Sequence, residues 1–239
     1  MLQSVERAVA VLQALASQPD PRSIVDLAAS LGVDRTIVRR ILRTLEAEEF
    51  VEPAPGGGYL IGPRALVFGN AYRERLSLRS AALPYMSDFV RALGERQLMV
   101  SIAAVVHREL LLVDQVWNPG MSLDLVFDVG SRFPVGQSAS GRALLAYMSG
   151  EEIADTVGAE QGRKLEPRLI AIRAAGGVDF QRRPDQQGHC AIAAVIFPRY
   201  GRPRSTLVLS GLGLEDELYP DSPSARRVRR YADRIGDLI

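Results

Sequence analysis

Two stretches of this 239-residue chain carry side chains whose type and spacing suit chemistry. The first is Asp34-Arg-Thr-Ile-Val-Arg-Arg-Ile-Leu-Arg-Thr-Leu45, where four arginines fall between positions 35 and 43. Guanidinium forks bind phosphate oxygens and the O6/N7 edge of guanine in pairs of hydrogen bonds. Wound as a helix, the stretch places Ile37, Val38, Ile41, Leu42 and Leu45 on one apolar stripe. Thr36, Arg39, Arg40 and Arg43 then face the other way, with Arg35 on the flank, where it would position rather than specify. Asp34 can cap the helix start. Such a helix either reads a DNA groove or is simply a solvated amphipathic helix, and its neighbours must decide.

The second stretch is Gly136-Gln-Ser138-Ala-Ser140. A serine at the head of a helix of small residues offers a hydroxyl, free backbone N–H groups and a positive dipole end, which together suit a carboxylate. Gly136, Gln137, Ser138 and Ala139 are therefore candidate ligand-binding residues; the plainer alternative makes Ser138 an N-cap only. A serine nucleophile is a third reading. It would need a glycine where Ser140 stands, and a base. His107, in an expected turn, and His189, at an expected strand start, are not tied to Ser138 by the sequence. No catalytic residue is assigned.

The elements around the arginine stretch favour DNA. Ser4 is expected to cap a first helix carrying Ala8, Val9, Leu12 and Leu15, which Pro19-Asp-Pro21 ends. Ser23-Ile-Val-Asp26 is close to a capping box, with Ile24, Leu27, Ala28 and Leu31 as an apolar face. Gly32 stops that helix, and only Gly32 and Val33 separate Leu31 from Asp34, the spacing of a helix-turn-helix. Phe50-Val-Glu-Pro53, a glycine-rich turn and Tyr59-Leu-Ile61 then read as a hairpin, or wing. In this frame Arg22 and Ser23 are expected to meet a phosphate through backbone N–H groups and guanidinium, and Gly57 joins the DNA contacts from the wing. Tyr59 is expected in the core.

The net charge of +1 announces no basic field. Residues 1–75 hold nine arginines and nine acids, so any nucleic-acid surface must come from clustering on one helix face. A single cysteine, Cys190, excludes an intrachain disulfide framework, and two histidines leave no Cys/His metal cluster. No phosphate loop or dinucleotide fingerprint occurs, so no cofactor is expected. With no leader pattern and no long apolar run, the chain is expected in the cytoplasm and off the membrane.

Downstream, Ala65-Leu-Val-Phe68 through Tyr72, Leu76 and Leu78 suggests a linker helix over 63–80. A helix from residue 81 carries Leu83, Met86, Phe89, Val90 and Leu93. Leu98–Val106 reads as a well-covered strand. Further strands are expected at 110–116, 123–127, 189–197 and 205–210, helices at 141–148 and 166–175, and a last helix with Val228, Tyr231 and Ile235. Mixed strands flanked by helices predict an α/β sensor of GAF-like type. The fold class is α/β and multi-domain, with a winged helix-turn-helix over 1–62, a linker over 63–80 and a GAF-like effector-binding and oligomerisation domain over 81–239.

The order of signals resembles the IclR family of bacterial transcription regulators. Ser4-Val-Glu-Arg7-Ala8 is similar to the family's opening Ser-x-x-Arg-Ala, Leu31–Arg40 to its recognition region, and Tyr59-Leu-Ile-Gly62 to its wing-closing Tyr-x-Leu-Gly. Ile37 stands where the family usually has a threonine. Arg132-Phe-Pro-Val-Gly-Gln-Ser-Ala-Ser-Gly-Arg-Ala-Leu-Leu-Ala146 resembles Arg-Leu-Pro-x-x-x-Thr-Ala-x-Gly-Lys-Ala-x-Leu-Ala. The resemblance implies a homodimer or homotetramer on a pseudo-palindromic double-stranded DNA operator, with Phe68 and Tyr72 as interface candidates. It also implies a small organic acid effector near Ser138. Gln181 falls near a family acid, Ala191 where a cysteine belongs, Val195 on a proline, Val208 on a serine, and Ser210 fits a pocket serine. Cys190 is one residue early, which on a strand turns it to the other face. These departures imply a more apolar effector, such as an aromatic or branched acid. They also leave open a C-terminal domain that only assembles and binds nothing.

Overall fold

A computed structural model describes residues 2–74, 77–94, 96–122, 126–183, 188–214, 216, 218–219 and 221–239. The chain divides into two compact units, Met1–Arg75 and Leu76–Ile239.

The first unit contains α1 (Gln3–Ala16), α2 (Ile24–Leu31), α3 (Arg35–Ala47), a hairpin of β1 (Val51–Pro53) and β2 (Tyr59–Ile61), and α4 (Arg64–Glu74). Val11, Leu15, Leu27, Val38, Leu42 and Val51 form its core, with Tyr59 packed against them. Local hydrogen bonds fix the α2–α3 corner. The Ser23 hydroxyl accepts the Asp26 N–H at 3.1 Å. Gly32, at φ 62°, closes α2 in the left-handed region, and the Val33 N–H returns to the Ala28 carbonyl at 3.1 Å. Asp34 Oδ1 then accepts the Thr36 N–H at 2.7 Å and starts α3.

Three expectations are corrected here. α1 begins behind Leu2, so Ser4 lies inside the helix and caps nothing. Val11, not Val9, enters the core; apolar residues at 5, 8, 9, 11, 12 and 15 are more than one helix face can bury, and Val9 stays exposed. Ile37 is half-buried and lies outside the cluster that Val38 and Leu42 join.

The wing depends on one glycine. A Cβ on Gly62 would lie 2.3 Å from the Glu49 carbonyl oxygen, because its N–H donates to the Phe50 carbonyl at 2.8 Å and draws the two chains together. This gives the glycine of Tyr59-Leu-Ile-Gly62 a physical reason.

The second unit is built on a six-stranded sheet in the order β5-β4-β3-β8-β7-β6. Its elements are α5 (Ser77–Leu93), β3 (Leu98–Val106), β4 (Glu109–Trp117), β5 (Arg132–Pro134), a 3-10 turn (Val135–Gln137), α6 (Ala139–Leu145), α7 (Gly150–Val157), α8 (Ala159–Ala174), β6 (Val178–Arg183), β7 (His189–Ile196), β8 (Ser205–Gly211) and α9 (Pro223–Gly236). Every pairing is antiparallel rather than mixed. The tight turn at His107 and Arg108, with His107 at φ 57°, returns β3 directly as β4, and no helical crossover joins paired strands. α5 and α9 cover one face through Met86, Phe89, Ile192, Leu209, Val228 and Ile235. α6 and α8 cover part of the other through Ala143, Leu144, Leu169, Ile172 and Val195.

Element edges differ from expectation. Residues 75–76, within the expected linker, and 123–125, within an expected strand, lie outside the described residues; Val126 and Phe127 are not in a strand. The helix expected from 81 starts at Ser77, and the helix expected from 166 starts at Ala159 and runs through Pro167. α7, β5 and β6 carry too few apolar residues in period to announce themselves.

Gly62→Ala should overpack the wing and cost about 1–3 kcal/mol. Gly69→Ala, on α4 with nothing near its would-be Cβ, should instead be neutral or stabilising by up to about 1 kcal/mol. Urea denaturation of the two variants checks both signs.

Candidate nucleic-acid interface and ligand pocket

The α3 surface is assembled by burial of its opposite face. With Val38 and Leu42 fully enclosed, Thr36, Arg39, Arg40 and Arg43 are exposed along one side and Arg35 is exposed at the head. Among the described residues none of these arginines forms an ion pair. Their guanidinium groups remain available to an external anion. Asp34 is ionised beside them: the Thr36 N–H, with Arg35 adding, holds its carboxyl below the ordinary carboxylate range.

Two neighbours are placed differently. The Arg22 N–H, expected open to a phosphate, donates to the Tyr59 carbonyl at 3.0 Å, and its Nη1 reaches the Ala14 carbonyl at 3.3 Å. Arg22 thus ties the wing and α1 to the start of α2. Ser23 uses its hydroxyl as a cap and as a donor to Asp26 Oδ2 at 2.6 Å. Gly57 is exposed in the wing turn at φ 94°.

The candidate ligand site follows from strand register. Residues paired directly across strands share a face. Trp117 pairs with Met99, Met99 with Ser210, Ser210 with Ala191, and Ala191 with Gln181. The adjacent row runs Gln115, Ser101, Val208, Ala193, Asp179. The head of α6 lies on these rows. Ala139 packs with Ala191, Ala193 and Val208, its N–H donates to Gln181 Oε1 at 2.8 Å, and the Ser138 hydroxyl accepts the Gly141 N–H at 3.0 Å.

Ser138, Ala139, Gln181, Ala191 and Ser210 are therefore brought together. Gln137 is exposed on the 3-10 turn. The glycines answer to packing. A Cβ on Gly136 would meet Val157 Cγ1 at 3.2 Å, and one on Gly141 would lie 1.8 Å from the Val135 carbonyl oxygen. Cys190 is buried against the α5 and α9 side, away from the pocket, as its register requires.

Four pocket-face residues were missed. Met99 and Ser101 lie inside the run 98–106 read as continuously apolar, Gln115 inside the strand expected at 110–116 and Trp117 one residue beyond it; only pairing across strands brings them to this face. Gln115 matters most. Its Nε2 donates to the Phe127 carbonyl, and its buried Oε1 has no hydrogen-bond partner among the described residues.

Beside Gln181, Asp179 anchors the helices. Its side chain has 0% exposure. Oδ2 accepts from Arg142 Nε of α6 at 2.8 Å, and Oδ1 from Arg168 Nε of α8 at 2.9 Å. Among the described residues no cluster suited to a metal ion occurs, and no helix is long and apolar enough to cross a membrane.

This geometry agrees with comparisons to known proteins. The profile of the IclR helix-turn-helix domain matches residues 4–55, and that of the IclR C-terminal domain of bacterial transcriptional regulators matches residues 70–215. The chain belongs to the IclR family. As a member it is a DNA-binding transcriptional regulator, with a helix-turn-helix unit followed by an α/β effector-type domain. The glycerol operon regulatory protein of Streptomyces coelicolor is 31% identical over 242 residues, covering 95% of this chain and 92% of its own. The repressor AllR of Klebsiella pneumoniae is 30% identical over 220 residues, covering 87% and 79%. Among solved structures, HmgR of Pseudomonas aeruginosa superposes with a TM-score of 0.79 at 23% identity, covering 98% of both chains. An IclR homologue of Microbacterium hydrocarbonoxydans, solved with 4-hydroxybenzoate, gives 0.76 at 20% identity, again covering 98% of both chains. These two structures show the fold.

Asp179→Ala should leave two arginines facing a buried gap and destabilise the second unit by about 3–5 kcal/mol. Urea denaturation followed by Trp117 fluorescence measures it.

Proposed function

We propose that this regulator binds a pseudo-palindromic operator as a homodimer or homotetramer and responds to a small organic acid held under α6. Residues 1–62 read DNA, 63–80 join the halves, and 81–239 bind effector and assemble. The observation that carries the DNA half is the unpaired arginine row of α3, backed by Thr36. Arg35, Gly57 and Ser23 contact the backbone around it, and Arg22 holds the wing that flanks it. Exposed apolar residues support assembly. Leu66 and Phe68 of α4 are 69% and 60% exposed, although Phe68 also stacks on Phe50 with ring centroids 5.2 Å apart.

For the effector, Ala139, Ala191, Ala193 and Val208 make an apolar wall beside Ser138, Ser210 and Gln181, a setting for an aromatic or branched body rather than a two-carbon acid. The 4-hydroxybenzoate held by the Microbacterium homologue supports an aromatic acid. We read the chain as non-enzymatic. Ser138 uses its hydroxyl to cap α6, and Ser140 is buried against Thr206. A second reading, in which the C-terminal unit only assembles, draws on the Ala139 N–H being already taken by Gln181.

Arg39→Ala or Arg40→Ala should lower operator affinity by about 1–3 kcal/mol where the side chain reads a base. Where it meets a phosphate, the salt slope should drop by about 0.9 per contact. Unchanged binding by both variants would remove the assignment. For the effector, 4-hydroxybenzoate and branched acids should raise the melting temperature while glyoxylate does not. Stabilisation by glyoxylate alone would reverse the size argument, and stabilisation by none would favour the assembly-only reading.

A further inference from the structure

We propose that the cleft between α8, β6 and α9 is a second small-molecule site, taking an organic anion with a flat apolar body such as an aryl sulfonate, carboxylate or phosphate. The cleft has a volume of about 440 Å³, within the roughly 300–1,000 Å³ of small-molecule sites. Its floor is apolar, formed by Ile172, Val178, Phe180, Ile192 and Ala225. Val178 and Phe180 alternate with Asp179 and Gln181 along β6, so these two and Ile192 lie on the opposite face of the sheet from the site under α6, while Ile172 closes the cleft from α8.

Four arginines rim that floor: Arg168, Arg226, Arg229 and Arg230. Two are neutralised. Arg168 is held by Asp179, and Arg229 Nε by Asp233 Oδ1 at 3.0 Å. The other two are not. Arg226 donates to the backbone carbonyl of Asp221, and among the described residues neither Arg226 nor Arg230 has a carboxylate partner. They stand one helical turn apart on α9, an arrangement in which like charges repel. An anion between them relieves that repulsion, and guanidinium forks favour planar oxyanions. A flat hydrocarbon body would cover Phe180 and Ile172. Asp221 and Asp233 also line the cleft, but the two arginines without a carboxylate favour an anion over a cation, and the floor disfavours a sugar. Arg168 also places the cleft one ion pair away from α6, since the second oxygen of Asp179 holds Arg142.

The test uses the full-length protein and 8-anilinonaphthalene-1-sulfonate, whose fluorescence rises in apolar sites. N-phenyl-1-naphthylamine, the same body without the anion, is the comparison. The sulfonate should bind saturably, at least tenfold tighter than the neutral amine. Binding should survive Ala191→Leu, which narrows the pocket under α6. It should weaken at least tenfold in Ala171→Trp, which fills the cleft from an exposed position of α8, and in the double variant Arg226→Ala/Arg230→Ala. Circular dichroism and urea midpoints check each fold; should the double variant unfold, Arg230→Gln and Ala171→Trp carry the test. Unchanged titration of Ala171→Trp, equal affinity for the neutral amine, or loss of binding in Ala191→Leu alone would overturn the proposal.

Discussion

The second unit turns on one carboxylate removed from water. Burying an ionised Asp179 costs several kcal/mol before any partner is counted, and both its oxygens are met by guanidinium nitrogens, from Arg142 of α6 and Arg168 of α8. The triad joins two helices to the edge strand β6. It also protects that edge, because Arg168 Nη2 donates to the Phe180 carbonyl at 3.1 Å and occupies a group that would otherwise template a foreign strand. Two residues along, with the period of a strand, Gln181 returns to the same face and meets the Ala139 N–H. Gln181, one polar edge of the candidate site, thus sits on a strand that the ion triad anchors.

Small side chains do the complementary work. Ala191, Ala193 and Val208 face α6, while Cys190, Ile192 and Leu209, one position over, face α5 and α9. Along β7 and β8 the bulk faces α5 and α9 and is withheld from the side toward α6. Polar groups on the face toward α6 are few; Gln115 stands out, its Nε2 bonded and its Oε1 without a partner among the described residues.

What could be read in advance was local. Caps and the Gly32 stop are written in residues a few positions apart, because the hydrogen bonds that enforce them span two to five residues, the wing is closed within twelve, and the alternation that turns Cys190 away is the two-residue period of a strand. Gly136 to Ala139 follow from a serine at a helix head, whereas Gln181, Ala191 and Ser210 come only from family resemblance, and register explains why they converge on Ser138. Met99, Ser101, Gln115 and Trp117 join it by pairing across strands, which no local pattern encodes. The Asp179 triad was invisible for the same reason: Arg142 precedes its partner by 37 positions, and Val-Asp-Phe-Gln-Arg-Arg looks more like a charged loop than an edge strand.

Arginine pairing sets the α3 row apart more clearly than composition does. In the second unit Arg79, Arg108, Arg132, Arg142, Arg168 and Arg202 each face a carboxylate. On α3 none does. A net charge of +1 conceals this, because it counts charges and not their partners. An arginine already bound to a carboxylate must lose that contact to take a phosphate, whereas an exposed one releases only water and counterions. Affinity for a polyanion therefore depends on where the chain leaves guanidinium groups unpaired. Among the described residues that condition holds along the row from Arg35 to Arg43, and the folding of α3 against its core keeps the row facing outward.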